Sequence, residues 1–318
     1  VVETVRAELQ ENPEQVAAAI NTAPTEAVAT VFANAAAAGN TEAVATAAAI
    51  GSTRNTEATS TVLAQASVQA ATQGSTQAFA SASAQAFSIA STRGIVESFV
   101  TSFAQASSKV ATASVEAAAA TFAQTAIEAT TRGVVEDFSR SQSQALAVAQ
   151  TTGGVEAYAY AIADAITQGG EATTQAYAVA FAQATAAGGD QAAGLTQAIA
   201  IVSCQGGARA EAFAEALSRT IGTDSNGCTI LREARSTAFA SCGPEGAFAS
   251  ANTEVTRRVI GLCRDRGFTD FSYPGLSDFD NIFQRLFGQR PGRRMMMQQK
   301  GLVSASHGRY LQGNRNRA

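Results

Sequence analysis

The sequence predicts an all-α protein: an array of about 13 short antiparallel helices, an α-solenoid or a layered helical bundle, with a repeat near 16–20 residues. Three observations carry that expectation. Alanine fills 72 of 318 positions, and no residue has a better intrinsic helix propensity or a smaller side-chain entropy loss. Short motifs recur at a fixed period, and glycines punctuate the same rhythm. The larger apolar side chains fall at helical spacing.

The first units are marked by Thr-Glu-Ala, which begins at Thr25, Thr41 and Thr56, at intervals of 16 and 15. A Val-Glu pair then recurs as Val96-Glu97, Val115-Glu116, Val135-Glu136 and Val155-Glu156, at intervals of 19, 20 and 20. Glycines follow at Gly74, Gly94, Gly133, Gly153-Gly154, Gly169-Gly170, Gly188-Gly189, Gly206-Gly207 and Gly222. A glycine after the last helical residue can take the left-handed conformation that closes a helix. An early glutamate suits the positive end of the helix dipole, and Ser, Thr or Asn near a unit's start can cap free N–H groups. No glycine lies between Gly94 and Gly133, so the reversal expected near Ser114 must form without one.

Strict alternation over Ala78-Phe79-Ala80-Ser81-Ala82-Ser83-Ala84 is a strand signature. The bulky residues decide for helix instead. Tyr158, Ile162 and Ile166 lie four apart, as do Phe213, Leu217 and Ile221, and Val96, Phe99, Val100 and Phe103 follow the i, i+3, i+4, i+7 pattern. Val134, Phe138 and Leu146 share one stripe. The same ordered spacing argues against disorder, the competing reading of a low-complexity chain. Short turns make successive helices antiparallel neighbours, and alanine on several faces lets each touch two or three others closely.

Charged residues make up 15% of the chain, against about 25% in average soluble domains. The net charge of −4 divides unevenly: residues 1–280 carry −12 and the remainder, with eight basic residues and no acidic one, +8. An acidic body argues against nucleic acid as a partner, since that needs a basic face to displace counterions. The uncharged run from Ala58 to Thr92 is interrupted throughout by Gln, Ser and Thr, so no membrane span is expected. The chain shows no signal peptide and begins Val1-Val2-Glu3, as a mature, processed form or a fragment would.

At Gln77–Ala90, QAFASASAQAFSIA, and at Ala157–Ala165, AYAYAIADA, the text resembles the Ala/Ser-rich helical repeats of spider egg-case (tubuliform) silk. Similar Ala/Gln-rich text occurs in secreted algal proteins. The silk resemblance implies helical bundles and an extracellular structural role. The paired glycines, cysteines, arginines and 20-residue units depart from that family, and no functional residue carries over.

The chemistry-bearing residues are few. Cys204, Cys228, Cys242 and Cys263 fall in one stretch and are candidates for two disulfides, with free buried thiols as the alternative. Three pairings are open; Cys204–Cys263 with Cys228–Cys242 would be nested and local. No CxxC element accompanies them and the one histidine, His307, is distant, so no metal site is expected. His307 lies in a Gly/Ser-rich basic tail, which does not hold a general base in place. The glycine pairs form neither GxGxxG nor a P-loop. Glu97, Glu116, Glu136 and Glu156 recur by repeat position, as solvated or dipole-satisfying residues do. The expectation is therefore a non-enzyme, without cofactor.

Residues 266–288 break the style of the array predicted for residues 1–265. Phe268, Phe271, Tyr273, Phe279, Phe283 and Phe287 concentrate the aromatics, as an end cap or a docking segment for another subunit. Arg290, Arg293 and Arg294 open a basic, disordered tail over 289–318. Together these residues predict a secreted structural protein that self-assembles into a fibre, coat or matrix, its partners being itself or other structural proteins. An α-solenoid protein-binding scaffold and an ice-binding protein are the alternatives.

Overall fold

The computed structural model describes residues 1–205, together with 209, 212, 213, 216, 222–223, 229–243 and 246–259. Eleven helices fill the first stretch: α1 (Val2–Glu11), α2 (Pro13–Ala19), α3 (Thr25–Ala37), α4 (Thr41–Arg54), α5 (Thr56–Thr72), α6 (Thr76–Thr92), α7 (Val96–Ala113), α8 (Val115–Arg132), α9 (Val135–Thr152), α10 (Val155–Ala187) and α11 (Gly189–Gln205). Inside α10, Gly170 adopts φ 60° and ψ −141°, a non-helical conformation that divides it into two helical pieces. Over residues 1–205 the chain is an all-α array, as its period predicts.

Two kinds of junction join the helices. Where a glycine ends the helix, the N–H of the following residue reaches back five residues: Asn40 to the Ala35 carbonyl, Ser75 to Ala70, Ile95 to Ala90, Val134 to Ala129 and Gly154 to Ala149. This is the bond of a Schellman closure, and it requires the left-handed backbone seen at Gly133 (φ 73°). At two junctions without glycine, a single extended residue turns the chain and caps the next helix. Asn55 Oδ1 accepts from the Ala58 N–H at 3.0 Å, and Ser114 Oγ from the Ala117 N–H at 3.2 Å. The reversal expected at Ser114 without glycine is thus a side-chain cap on one residue. Asn40 and Ser75 also stand at helix starts but make no capping bond, because the Schellman turn holds them out of the extended conformation that capping needs.

Alternate helices pack side by side: α2 on α4, α4 on α6 and α6 on α8, and separately α3 on α5, α5 on α7 and α7 on α9. Two rows result, with sequence neighbours in opposite rows. Contacts between α7 and α9 advance together, Glu97 with Arg140 and then Thr101 with Gln144, so these two helices run in the same direction. Alanine lets neighbours in a row approach closely. Ala82, Ala84 and Ala86 of α6 are all fully buried, as are Ala118 and Ala119 of α8. The alternating stretch Ala78–Ala84 is therefore a helix covered on most of its circumference.

Where they are described, the predicted stripes line the core; Leu217 and Ile221 lie outside the described residues. Tyr158 and Ile162 are fully buried and Ile166 nearly so; Phe99, Val100, Phe103, Phe138 and Leu146 are also buried. Several buried hydroxyls return to their own helix: Ser67 donates to the Leu63 carbonyl at 2.8 Å and Ser83 to that of Phe79 at 3.0 Å. Serine satisfied in this way packs as a slightly larger alanine, so a Ser/Thr-rich chain can build a close-packed core.

The array expected to continue to residue 265 does not do so in one respect. Thr229–Gly243 (β2) pairs antiparallel with Gly246–Val259 (β3), in register from Ile230↔Val259 to Gly243↔Gly246, and Gly222–Thr223 (β1) adds to β2. Pro244 follows β2 in the sequence and cannot continue a helix. Thr253, Val255, Thr256 and Val259 give β3 the β-branched content that favours strand.

Candidate assembly surface

Helices α5 to α9 each leave one narrow face toward solvent, and that face repeats. In α5 it presents Glu57, Thr61, Gln65 and Thr72; in α7, Glu97, Thr101, Gln105 and Thr112; in α9, Glu136, Arg140, Gln144 and Thr151. The other row offers Gln77, Ser81 and Gln85 in α6, then Glu116, Ala120 and Gln124 in α8. The spacing of four comes from helix geometry: residues four apart share a face, and flanking Ala and Ser are taken up by the neighbours in the row.

Polar bridges cross between neighbours in a row. Lys109 Nζ of α7 lies 2.6 Å from Glu57 Oε1 of α5 and donates also to Ser60 Oγ and Thr61 Oγ1, at 2.8 and 2.9 Å. Arg140 of α9 pairs with Glu97 of α7 and with Asp137 of its own helix. Arg132 of α8 donates to Ser81 Oγ of α6 at 3.0 Å, and Thr41 Oγ1 of α4 to Gln85 Oε1 of α6 at 3.4 Å. Exposed pairs of this kind contribute about 0–1 kcal/mol each, so they set alignment more than stability.

One group on this surface does not repeat. Arg209 Nε and Nη2 donate to the two carboxylate oxygens of Asp164 at 2.7 and 2.9 Å, and its guanidinium lies 4.8 Å from the centroid of the Tyr160 ring. The Tyr160 hydroxyl is pushed above its ordinary pKa by partial burial and by Glu156, while Arg209 opposes the shift.

Residues 1–205 hold sixteen acidic and six basic side chains, net −10. Among the described residues no three His, Cys, Asp or Glu side chains gather as metal ligands would, and no helix is long and apolar enough to cross a membrane. The large apolar side chains exposed among them are Val1, Val2 and Val179.

Cys204 lies in α11 and Cys242 in β2, with side chains outside those described; Cys228 and Cys263 lie outside the described residues altogether. So do the docking candidates Phe268, Phe271, Tyr273, Phe279, Phe283, Phe287, Arg290, Arg293 and Arg294. The structure does reveal a polar residue that the stripes passed over. Gln142 occupies the helix position held by Leu63, Phe103, Phe122 and Ile162 in other units, and it is 1% exposed. An amide at a position that is large and apolar in α5, α7, α8 and α10 was the available signal.

Compared with family models, curated proteins and solved structures, the chain matches none. The likeness to silk rests on its Ala/Ser text alone.

Proposed function

We propose that this chain is a structural protein that assembles with copies of itself into an extracellular fibre, coat or matrix. The observation that carries the reading is the periodic outer face. Gln65, Gln85, Gln105, Gln124 and Gln144 recur at intervals of 20, 20, 19 and 20, one per helix. A surface that repeats one weakly charged amide and hydroxyl pattern supports many equivalent contacts in place of one local site. Amides both donate and accept, so such faces are self-complementary where the amide reaches solvent, as at Gln65; the Gln105 oxygen is itself buried. The charge division adds a longer-range attraction, between the net −10 of residues 1–205 and the +8 that follows residue 280. A head-to-tail contact of that kind generates open filaments.

Electron microscopy of the purified full-length chain tests this reading, with filaments or sheets of regular repeat as the expected image. A chain that remains a single copy at high concentration, over a range of salt, would overturn it. The non-repeating group of Arg209, Asp164 and Tyr160 favours a second reading, a protein-binding scaffold. Such a scaffold would stay a single copy and capture its partner at that group, with Arg209→Ala abolishing capture.

A further inference from the structure

Gln142 of α9 is the centre of a buried hydrogen-bond cluster. Its Nε2 donates to Ser107 Oγ of α7 at 3.0 Å. Its Oε1 accepts from the Tyr158 hydroxyl at 2.7 Å and from the Tyr177 hydroxyl at 2.9 Å. Tyr158 and Tyr177 are both fully buried. They belong to the same helix, α10, but stand on opposite sides of the break at Gly170. One amide oxygen of α9 therefore grips both halves of α10.

Other bonds hold the second half in place. Ser139 Oγ of α9 donates to the Ala176 carbonyl at 2.8 Å, and Thr173 Oγ1 donates to the Ala123 carbonyl of α8 at 3.3 Å. In α11, Gln191 Oε1 accepts from Ser143 Oγ at 2.6 Å. The bonds from Arg209 to Asp164 also cross the break.

We propose that Gly170 is a hinge with Gln142 as its latch, and that the segment from Glu171 onward exchanges between two copies of this chain. Each copy's segment then docks on α8 and α9 of the other. Every acceptor and donor that holds the segment is present in each copy, so the exchanged pair makes the same bonds and differs only at the hinge. The hinge conformation, φ 60° and ψ −141°, is one that glycine adopts and other residues avoid. Helix-forming sequence flanks it on both sides, from Val155 to Gln168 and from Glu171 to Ala187. Released from the latch, α10 straightens into one helix of 33 residues. At 1.5 Å per residue its length is then about 50 Å, and its second half extends beyond its own α8 and α9. Only another copy supplies the missing surface. The inference rests on the self-assembly reading above and gives it an interface, one that does not involve the basic tail.

The test uses the full-length chain and three variants, Gln142→Leu, Gly170→Ala and Tyr177→Phe. Gln142→Leu removes the latch and places there the residue type that α5 carries as Leu63. Gly170→Ala penalises the bent hinge. Tyr177→Phe keeps the ring and deletes one of the two hydroxyls. Molar mass is measured by light scattering after size separation, at low and high protein concentration, beside circular dichroism. The expected result is a several-fold larger fraction of two-copy and larger species for Gln142→Leu and Gly170→Ala, with Tyr177→Phe between them and the unaltered chain, and helix content unchanged. Single-copy mass in all three, with helix content intact, overturns the exchange. The unaltered chain, refolded from denaturant at low and high concentration, reads the same question should a variant fail to fold. More multi-copy species at high concentration supports exchange, and equal mass at both overturns it. Filaments of the unaltered chain alongside single-copy variants would retain self-assembly and reject this interface.

Discussion

The ring of Phe87 in α6 meets the ring of Phe99 in α7 edge to face, with centroids 4.8 Å apart. The contact joins the two rows, and it begins a chain of rings. Phe87 also lies 5.2 Å from Phe103 and 6.4 Å from Phe138; Phe138 lies 6.1 Å from Tyr177, Tyr177 6.0 Å from Phe181, and Phe181 5.2 Å from Phe213. Alanine supplies closeness within a row, while these rings fill the space between rows. Each ring brings 150–250 Å² of apolar surface, and edge-to-face geometry adds to its burial.

Phe87→Ala is therefore expected to lower stability by about 3–5 kcal/mol, the range for emptying a buried aromatic site. Phe87→Leu should cost clearly less, because most of the volume is kept. Urea unfolding followed by circular dichroism measures both. A loss below about 1 kcal/mol for Phe87→Ala would mean that the rings do not carry the contact between rows.

A second expectation concerns Gly194 of α11. A Cβ there would lie 2.4 Å from the Leu146 carbonyl oxygen and 2.9 Å from its carbon, which are backbone atoms of α9. Gly194→Ala should destabilise by about 1–3 kcal/mol, as forced overpacking does, although alanine is the better helix former by roughly 1 kcal/mol. An unchanged or raised midpoint in urea would show that α9 and α11 do not approach this closely.

The helix period, the closing glycines and the reversal at Ser114 were all legible in the sequence, because start and stop chemistry is local. Gly194 shows what was not. It reads as an ordinary glycine inside a helical pattern, and its reason lies in α9, almost fifty residues away. Gln142 was half legible, since its contrast with Leu63 and Phe103 could be seen but its partners Tyr158, Tyr177 and Ser107 could not. The strands over 229–259 were not legible for a related reason. Alternation in Ala238-Phe239-Ala240-Ser241 matches that in α6, and no local feature of the pattern separates the two. The surface candidates from Phe268 to Arg294 were chosen on composition, and they lie outside the described residues.

Tyr158 and Tyr177 make a prediction about base. Burial raises both hydroxyls well above their ordinary pKa, and for Tyr177 the nearby Tyr158 raises it further. A tyrosine whose folded-state pKa exceeds its unfolded value contributes stability that is complete below about pH 10 and is lost as pH rises further. The array should therefore keep its stability up to that point and then unfold steeply. Phenolate absorbance should show two tyrosines ionising together with the loss of helix. The doubly substituted Tyr158→Phe, Tyr177→Phe chain should lose helix more gradually with rising pH. An identical alkaline midpoint and steepness in that variant would remove these two residues as the cause.

The cysteines offer a test of compartment. An oxidised, extracellular protein should show few or no reactive thiols when Cys204, Cys228, Cys242 and Cys263 are probed in the denatured, unreduced state. Four reactive thiols in freshly isolated material would count against both the disulfides and the extracellular setting.

The basic tail provides the last prediction. Residues 289–318 hold seven of the eight positive charges that follow residue 280, and they contribute no repeat unit to the array. Deleting this segment should leave the helical spectrum of the array unchanged. Assembly should fall if the tail of one copy is drawn to the acidic array of another. Exposed charges interact over a Debye length of about 8 Å at physiological salt, so moderate sodium chloride should weaken assembly as the deletion does. Contacts made by apolar burial respond in the opposite sense to excluded salts such as sulfate, which strengthen them. Light scattering of the full-length and shortened chains, across a series of both salts, separates the two mechanisms. Undiminished assembly of the shortened chain, together with indifference to sodium chloride, would reject the tail as the driver. Assembly would then run through exchange at Gly170, the alanine-rich faces or the segment from Phe268 to Phe287, and the Gly170→Ala variant distinguishes the first of these from the other two.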